Sequence, residues 1–292
     1  MNASILLTVS NAYFMKKISK LLLLSLFPLA ALSGTASAQT MELPGPSDLG
    51  YRFNYRNIGA RLYALPPDAN SKPTVTQADI NRFLDELKPH LAALQQAIAG
   101  RFTVVSASGA NLDEPYFSDQ RATGDVAFIA ADFGNISNPM DPRSQLAYTI
   151  TYNKVNGKYV QCLSPDAQGT LRYNPENCNS TDRKARFATI FFNLSGLNKV
   201  MQMKNVDGQP LSRDAVLRNT VFHEFGHLLG MGHEMNPSGP NDPYIGYDNY
   251  CIAPDVYTNT SVMEPGVTCR NLITDYNSKH DKAWLDANYR PF

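Results

Sequence analysis

This 292-residue chain is poor in histidine and cysteine and has no excess of charge. It carries five histidines, four cysteines and 26 basic residues against 26 acidic ones. Balanced charge with no basic run or stripe removes the electrostatic footprint that a nucleic-acid binder needs. The cysteines (Cys162, Cys178, Cys251 and Cys269) include no close C-x-x-C pair, which argues against a zinc-cysteine site. No internal repeat and no long low-complexity tract is present. The one strongly apolar run, "LLLLSLFPLAAL" (21–32), is too short to span a bilayer, and no membrane span is expected elsewhere.

That run has the setting of an export signal. Lys16, Lys17 and Lys20 precede it and the small residues "ASA" (36–38) follow it, so 1–38 reads as a Sec-type signal peptide cut after Ala38. The basic residues follow Met15, which makes Met15 a second candidate start. No cysteine follows closely enough for a lipid anchor. Removing 1–38 takes away three lysines and leaves 23 basic against 26 acidic residues. The expected location is secreted or periplasmic. Four cysteines in an exported chain read as two disulfides. Three pairings are open. The local one, Cys162–Cys178 with Cys251–Cys269, is the expectation because each loop is short and rich in Asn, Pro, Gly and Asp; each closure would contribute roughly 3 kcal/mol.

After a Pro/Gly-rich leader (39–50), "YRFNY" (51–55) alternates like an opening strand, and "RLYALPPDANSKPT" (61–74) reads as a loop. From Thr76 apolar residues recur at three- and four-residue steps through Ile98, with Thr76 and Asp79 placed as a capping box and Gly100 as a stop. Pro89 should kink or divide this helix. Strands are expected at 101–108, 124–133, 145–154 and 186–194, with an exposed loop between the last two. Ser212 caps a second helix whose buried face is Val216, Leu217, Val221, Phe222, Phe225, Leu228 and Leu229. A loop-like stretch (235–273) leads to a last helix near 276–288. This order describes an α+β domain, 51–292, with a mixed sheet packed on two long helices.

Three of the five histidines fall within "VFHEFGHLLGMGHE" (221–234). His223 and His227 are four residues apart on the second helix, so they lie one above the other on one face. Two imidazoles so placed can share a zinc ion, and Glu224 beside the first can reach a water on it without taking a ligand position. Gly230 allows a sharp turn after Leu229, so the chain can return His233 as third ligand. Such an ion keeps an open position and acidifies the water held there, with Glu224 as general base and then acid.

His223-Glu224-x-x-His227-x-x-Gly230-x-x-His233 resembles the extended zinc signature of the metzincin metallopeptidases. "TSVMEPG" (260–266) is similar to the family's Met-turn, with Met263 in the methionine's place. "LGYRFNY" looks like the family's first strand and 76–99 like its first long helix. The resemblance implies an upper subdomain (51–230), a smaller lower one (231–292) and a peptide substrate extended across the cleft between them against an edge strand, for which 145–154 is the choice. It departs from astacin- and serralysin-like members, which carry a tyrosine where Pro265 stands, and is nearer to matrixin-like ones. No cysteine precedes Cys162, so a matrixin-type cysteine switch is absent. The expectation is a secreted, monomeric zinc endopeptidase with one catalytic ion. The alternatives are a catalytically silent, zinc-stabilised binding protein and a toxin-like protease with one protein target. His90 and His280 read as surface or helix-face histidines. The Asp-bearing loops 138–144 and 238–250 are candidates for structural calcium, although neither has EF-hand spacing.

Overall fold

The computed structural model describes residues 41–42, 45–53, 55–66, 75–106, 124–134, 145–155, 158–165, 171–173, 184–185, 187–234, 257–258, 261–264, 266–267 and 272–292. Six strands make the main sheet: β1 (Asn57–Ala64), β2 (Thr103–Ser106), β3 (Asp125–Ala131), β4 (Ala147–Val155), β5 (Lys158–Gln161) and β6 (Phe187–Asn193), in the spatial order β2-β1-β3-β6-β4-β5. β2, β1, β3 and β6 run parallel to one another, and β4 reverses against β6. β5 forms a hairpin with the second half of β4, from Tyr152↔Gln161 to Val155↔Lys158. The chain is therefore α+β with a mixed sheet, and its described residues include four helices: α1 (Gln77–Ile98), α2 (Leu194–Val200), α3 (Arg213–Leu229) and α4 (Lys279–Asn288). All described residues belong to one unit, Gln39–Phe292, and none of these helices is long and apolar enough to cross a membrane.

Period-2 alternation sorts the central strands into two faces. Val126, Phe128 and Ala130 of β3, with Ala188, Ile190 and Phe192 of β6, join Ile80, Phe83, Leu87, Leu94 and Ile98 of α1 and the buried residues of α3 in the main core. Ala127, Ile129, Ala131 and Phe191 point to the other face, where Tyr63, Phe133, Tyr148 and Ile150 cover them. Both long helices therefore lie on one side of the sheet.

Four expectations change here. The strand β1 occupies 57–64 and takes in "RLYA", expected as the start of a loop; Pro66 follows only after Leu65 and so does not reach back into the strand. "LGYRFNY" is not the first strand of the sheet. Among its described residues it holds the short strand Arg52–Phe53, parallel to Lys184–Ala185, just after another at Pro46–Asp48 within the leader. Pro89 does not divide α1, which runs unbroken for 22 residues. Pro89 is exposed, as is Asp85 one turn earlier, so water can satisfy the carbonyl that proline leaves without a donor, while Leu87 and His90 stay packed beneath. The segment between β4 and β6 is not all loop: it contains β5 and a small hairpin of Leu163–Pro165 with Leu171–Tyr173.

The capping signals place the helix ends well. The Thr76–Asp79 capping box forms in full, and Ser212 accepts from Ala215 N at the start of α3. Cys162 is fully buried and disulfide-bonded. Cys178, Cys251 and Cys269 lie outside the described residues, as do both candidate calcium loops and Pro265.

Candidate metal centre

α3 carries the first two histidines where its pitch requires, and Gly230 ends it in the left-handed region at φ 100°. A Cβ there would lie 2.1 Å from the carbonyl oxygen of Tyr51, so only glycine fits both the turn and the neighbour. The chain then reverses into a short strand, Met231–Glu234, that brings His233 back beside the helix. The three imidazole centroids are 4.7, 4.9 and 5.2 Å apart, and one nitrogen from each lies within 4.8 Å of the other two. Among the described residues this is the one group of three that could hold a metal ion. His90, buried on α1 and 3.7 Å from Asp214, stands outside it, as does His280 on α4.

Backbone contacts orient two of the rings. His223 Nδ1 lies 3.0 Å from Val262 O and His227 Nδ1 lies 2.9 Å from Met231 O. A carbonyl can only accept, so each Nδ1 carries the proton and each Nε2 keeps a free lone pair. Burial, and the two neighbouring imidazoles, hold His223 well below the usual histidine range. Burial brings His227 down to about 4, against the opposing bond to Met231. Neutral rings with fixed tautomers are the form that ligates a metal. The donor set therefore fits zinc: three nitrogens leave a fourth position open.

Glu224 is buried beside His223. Its Oε2 is 2.7 Å, and its backbone oxygen 2.8 Å, from Thr149 Oγ1 on β4. Burial raises its carboxyl from 4.5 to about 7, and the Thr149 hydroxyl pulls in the other direction. Thr149 faces the helices because it stands opposite Ile190 in the β4–β6 register. Sequence reading did not single it out. The alternation of "YTITY" puts Thr149 and Thr151 on one face, but nothing local says which face meets α3.

Met263 is fully buried, and its Sδ lies against Gly226, where an added Cβ would be 2.3 Å away. The turn 261–264 is pinned from α4. Asp281 accepts from Ser261 Oγ at 2.5 Å and from Val262 N at 2.9 Å, and Ser261 Oγ accepts from Met263 N. Val262 is the residue whose carbonyl orients His223, so Asp281 reaches the first histidine through the backbone of one residue. Three tyrosine hydroxyls donate to carbonyls of α3: Tyr276 to Phe222, Tyr289 to Leu229 and Tyr51 to His227. Apart from the Ser261–Met263 bond within the turn, none of these supports has a local sequence signal, because each joins residues at least 19 apart.

The strand expected at 145–154 is β4, Ala147–Val155. β5 covers β4 from Tyr152 onward, and Cys162 N bonds Thr151 O. Among the described residues, Ala147–Ile150 is the portion with no strand on its outer side. No family model, curated protein or solved structure matches this chain.

Proposed function

We propose that this chain is a zinc-dependent endopeptidase of metzincin type. The observation that carries the reading is the convergence of His223, His227 and His233 beside a buried Glu224. Zinc, when bound by the three histidines, would supply a Lewis acid for the scissile carbonyl and lower the pKa of a water. Glu224 takes a proton from the water as its oxygen attacks the carbonyl carbon. It gives that proton to the amine nitrogen as the C–N bond breaks. No covalent intermediate with the protein forms. Thr149 holds the carboxylate against β4 throughout. Peptide would lie extended across the cleft and pair with an edge strand, for which β4 is the choice. The part up to Gly230 then acts as an upper subdomain and 231–292 as a smaller lower one, with Met263 in a Met-turn beneath the ligands.

A silent, zinc-stabilised binding protein is disfavoured by Glu224. A structural site gains nothing from a buried carboxyl beside its ligands, and burial makes the charged form costly. The test is hydrolysis of casein by wild type, Glu224→Ala and chelator-treated wild type, with bound zinc quantified in each. Cleavage by metal-loaded wild type alone supports the protease. Stoichiometric zinc without cleavage of casein or of a peptide library supports the binding protein.

A further inference from the structure

The leader stretch does not lead away from the domain. Pro46–Asp48 pairs antiparallel with Met231–Glu234, the strand that carries His233. Met231 stands opposite Asp48 and Glu234 opposite Pro46, with a register irregularity between them. His233 falls in that irregularity, and bulges of this kind re-aim a side chain. Leu49 N donates to Gly230 O at 3.0 Å. The Tyr51 hydroxyl donates to His227 O, and Tyr51 is 1% exposed. Gly232 lies so close to this stretch that a Cβ there would meet Ser47 Oγ at 2.2 Å.

The stretch is itself anchored. Arg52 makes two parallel 2.8 Å bonds to Asp48, donates to Asn288 on α4, and lies 4.9 Å over the Trp284 ring. Tyr289 OH accepts from Phe53 N at 2.9 Å while donating to Leu229 O at 2.6 Å. These contacts fall on the carbonyls of His227, Leu229 and Gly230 and on the strand that follows. That strand has two duties toward the site: it carries His233, and Met231 O sets the tautomer of His227.

We propose that residues 45–53 are positioning residues of the metal centre, fixing His233 and His227 as ligands. This rests on reading the three histidines as a metal site, but not on what reaction follows. A four-residue strand after a glycine turn has no partner of its own, and an isolated strand is not stable in water. Pairing with 46–48 makes it a ribbon, and Tyr51 fastens that ribbon to the end of α3. The stretch therefore supports metal affinity itself, as well as the stability of the fold.

The test is zinc affinity in the whole protein. Tyr51→Phe removes the hydroxyl that donates to His227 O, and Leu49→Pro removes the N–H that donates to Gly230 O together with the leucine side chain packed on the core. Zinc dissociation constants are measured by competition with a chromogenic chelator. The far-ultraviolet spectrum and urea midpoint of each metal-free protein are measured alongside. The expected result is zinc held about tenfold more weakly by each folded variant, the usual scale for losing an outer support of a ligand. A merely structural stretch would lower the urea midpoint and leave the affinity of the folded protein unchanged, and affinities within twofold of wild type overturn the proposal. Should Leu49→Pro fail to fold, Tyr51→Phe decides alone. Wild type that binds no zinc overturns the metal reading and this role with it; wild type that binds zinc no better than the variants overturns this role only.

Discussion

Replacing Glu224 by glutamine should make the metal-free protein more stable at neutral and alkaline pH. The carboxyl has a raised value of about 7 in the folded protein against 4.5 ordinarily. An acid with a raised value binds its proton more tightly when folded, so stability falls as pH climbs through that interval. At 1.36 kcal/mol per pH unit the full penalty above pH 7 is about 3 kcal/mol, and at pH 5 it is about 1 kcal/mol. Glutamine is neutral and keeps an oxygen that can accept from Thr149, so Glu224→Gln removes the penalty and retains the contact. The expected gain is about 3 kcal/mol at pH 8, shrinking to about 1 kcal/mol at pH 5. Shifts of His223 and His227 are common to both proteins and cancel to first order. Urea unfolding of chelator-treated wild type and variant at the two pH values reads this directly. Zinc should reduce the gain, because a dication beside Glu224 favours its charged form. A variant no more stable than wild type at pH 8, or a gain equal at both pH values, refutes the account of a buried, costly carboxyl.

Three more outcomes follow from the same geometry. Thr149→Val should lower kcat about tenfold or more with KM little changed, and Thr149→Ser should restore most of it, since hydrogen bonds to charged groups contribute about 1.5–3 kcal/mol; equal loss in both variants would point to packing instead. Gly226→Ala puts a methyl 2.3 Å from Met263 Sδ, so overpacking should cost about 1–3 kcal/mol in urea unfolding, and a neutral substitution would mean that Met263 does not lie against α3. His90 is held below the usual histidine range by burial and by Arg218, against the pull of Asp214. The unfolded chain takes up that proton first as pH falls below 6.5, so stability drops there, and His90→Leu should make the fall in urea midpoint between pH 7.5 and 5.5 smaller than in wild type.

The helices were the most legible part of the chain because their signals are local. Ser212, Gly230 and seven apolar positions between them define α3, and all seven are buried. Thr76 and Asp79 define the start of α1 equally well. Pro89 misled because a breaker's cost depends on whether its orphaned carbonyl can meet water, and that depends on which face packs. α2 went unread since "LSGLNKV" holds Ser, Gly and Asn, which favour turns; its position is set by packing at Leu194 and Leu197. The histidine cluster was legible from spacing alone, since helix pitch and one glycine turn suffice to converge three rings. Its supports were not. Thr149 reaches the site through sheet register, Asp281 through Val262, 19 residues away, and Tyr51 and the strand 46–48 across more than a hundred residues of chain; such pairings leave no periodic trace.

The most direct test of the central claim is the zinc content of the purified protein after dialysis, by elemental analysis, for wild type and for His223→Ala, His227→Ala and His233→Ala. The account predicts one zinc per wild-type chain and a large loss in each of the three variants, while His90→Ala keeps the full complement. A folded wild type without zinc, or a His233→Ala variant that retains it at wild-type affinity, would contradict it.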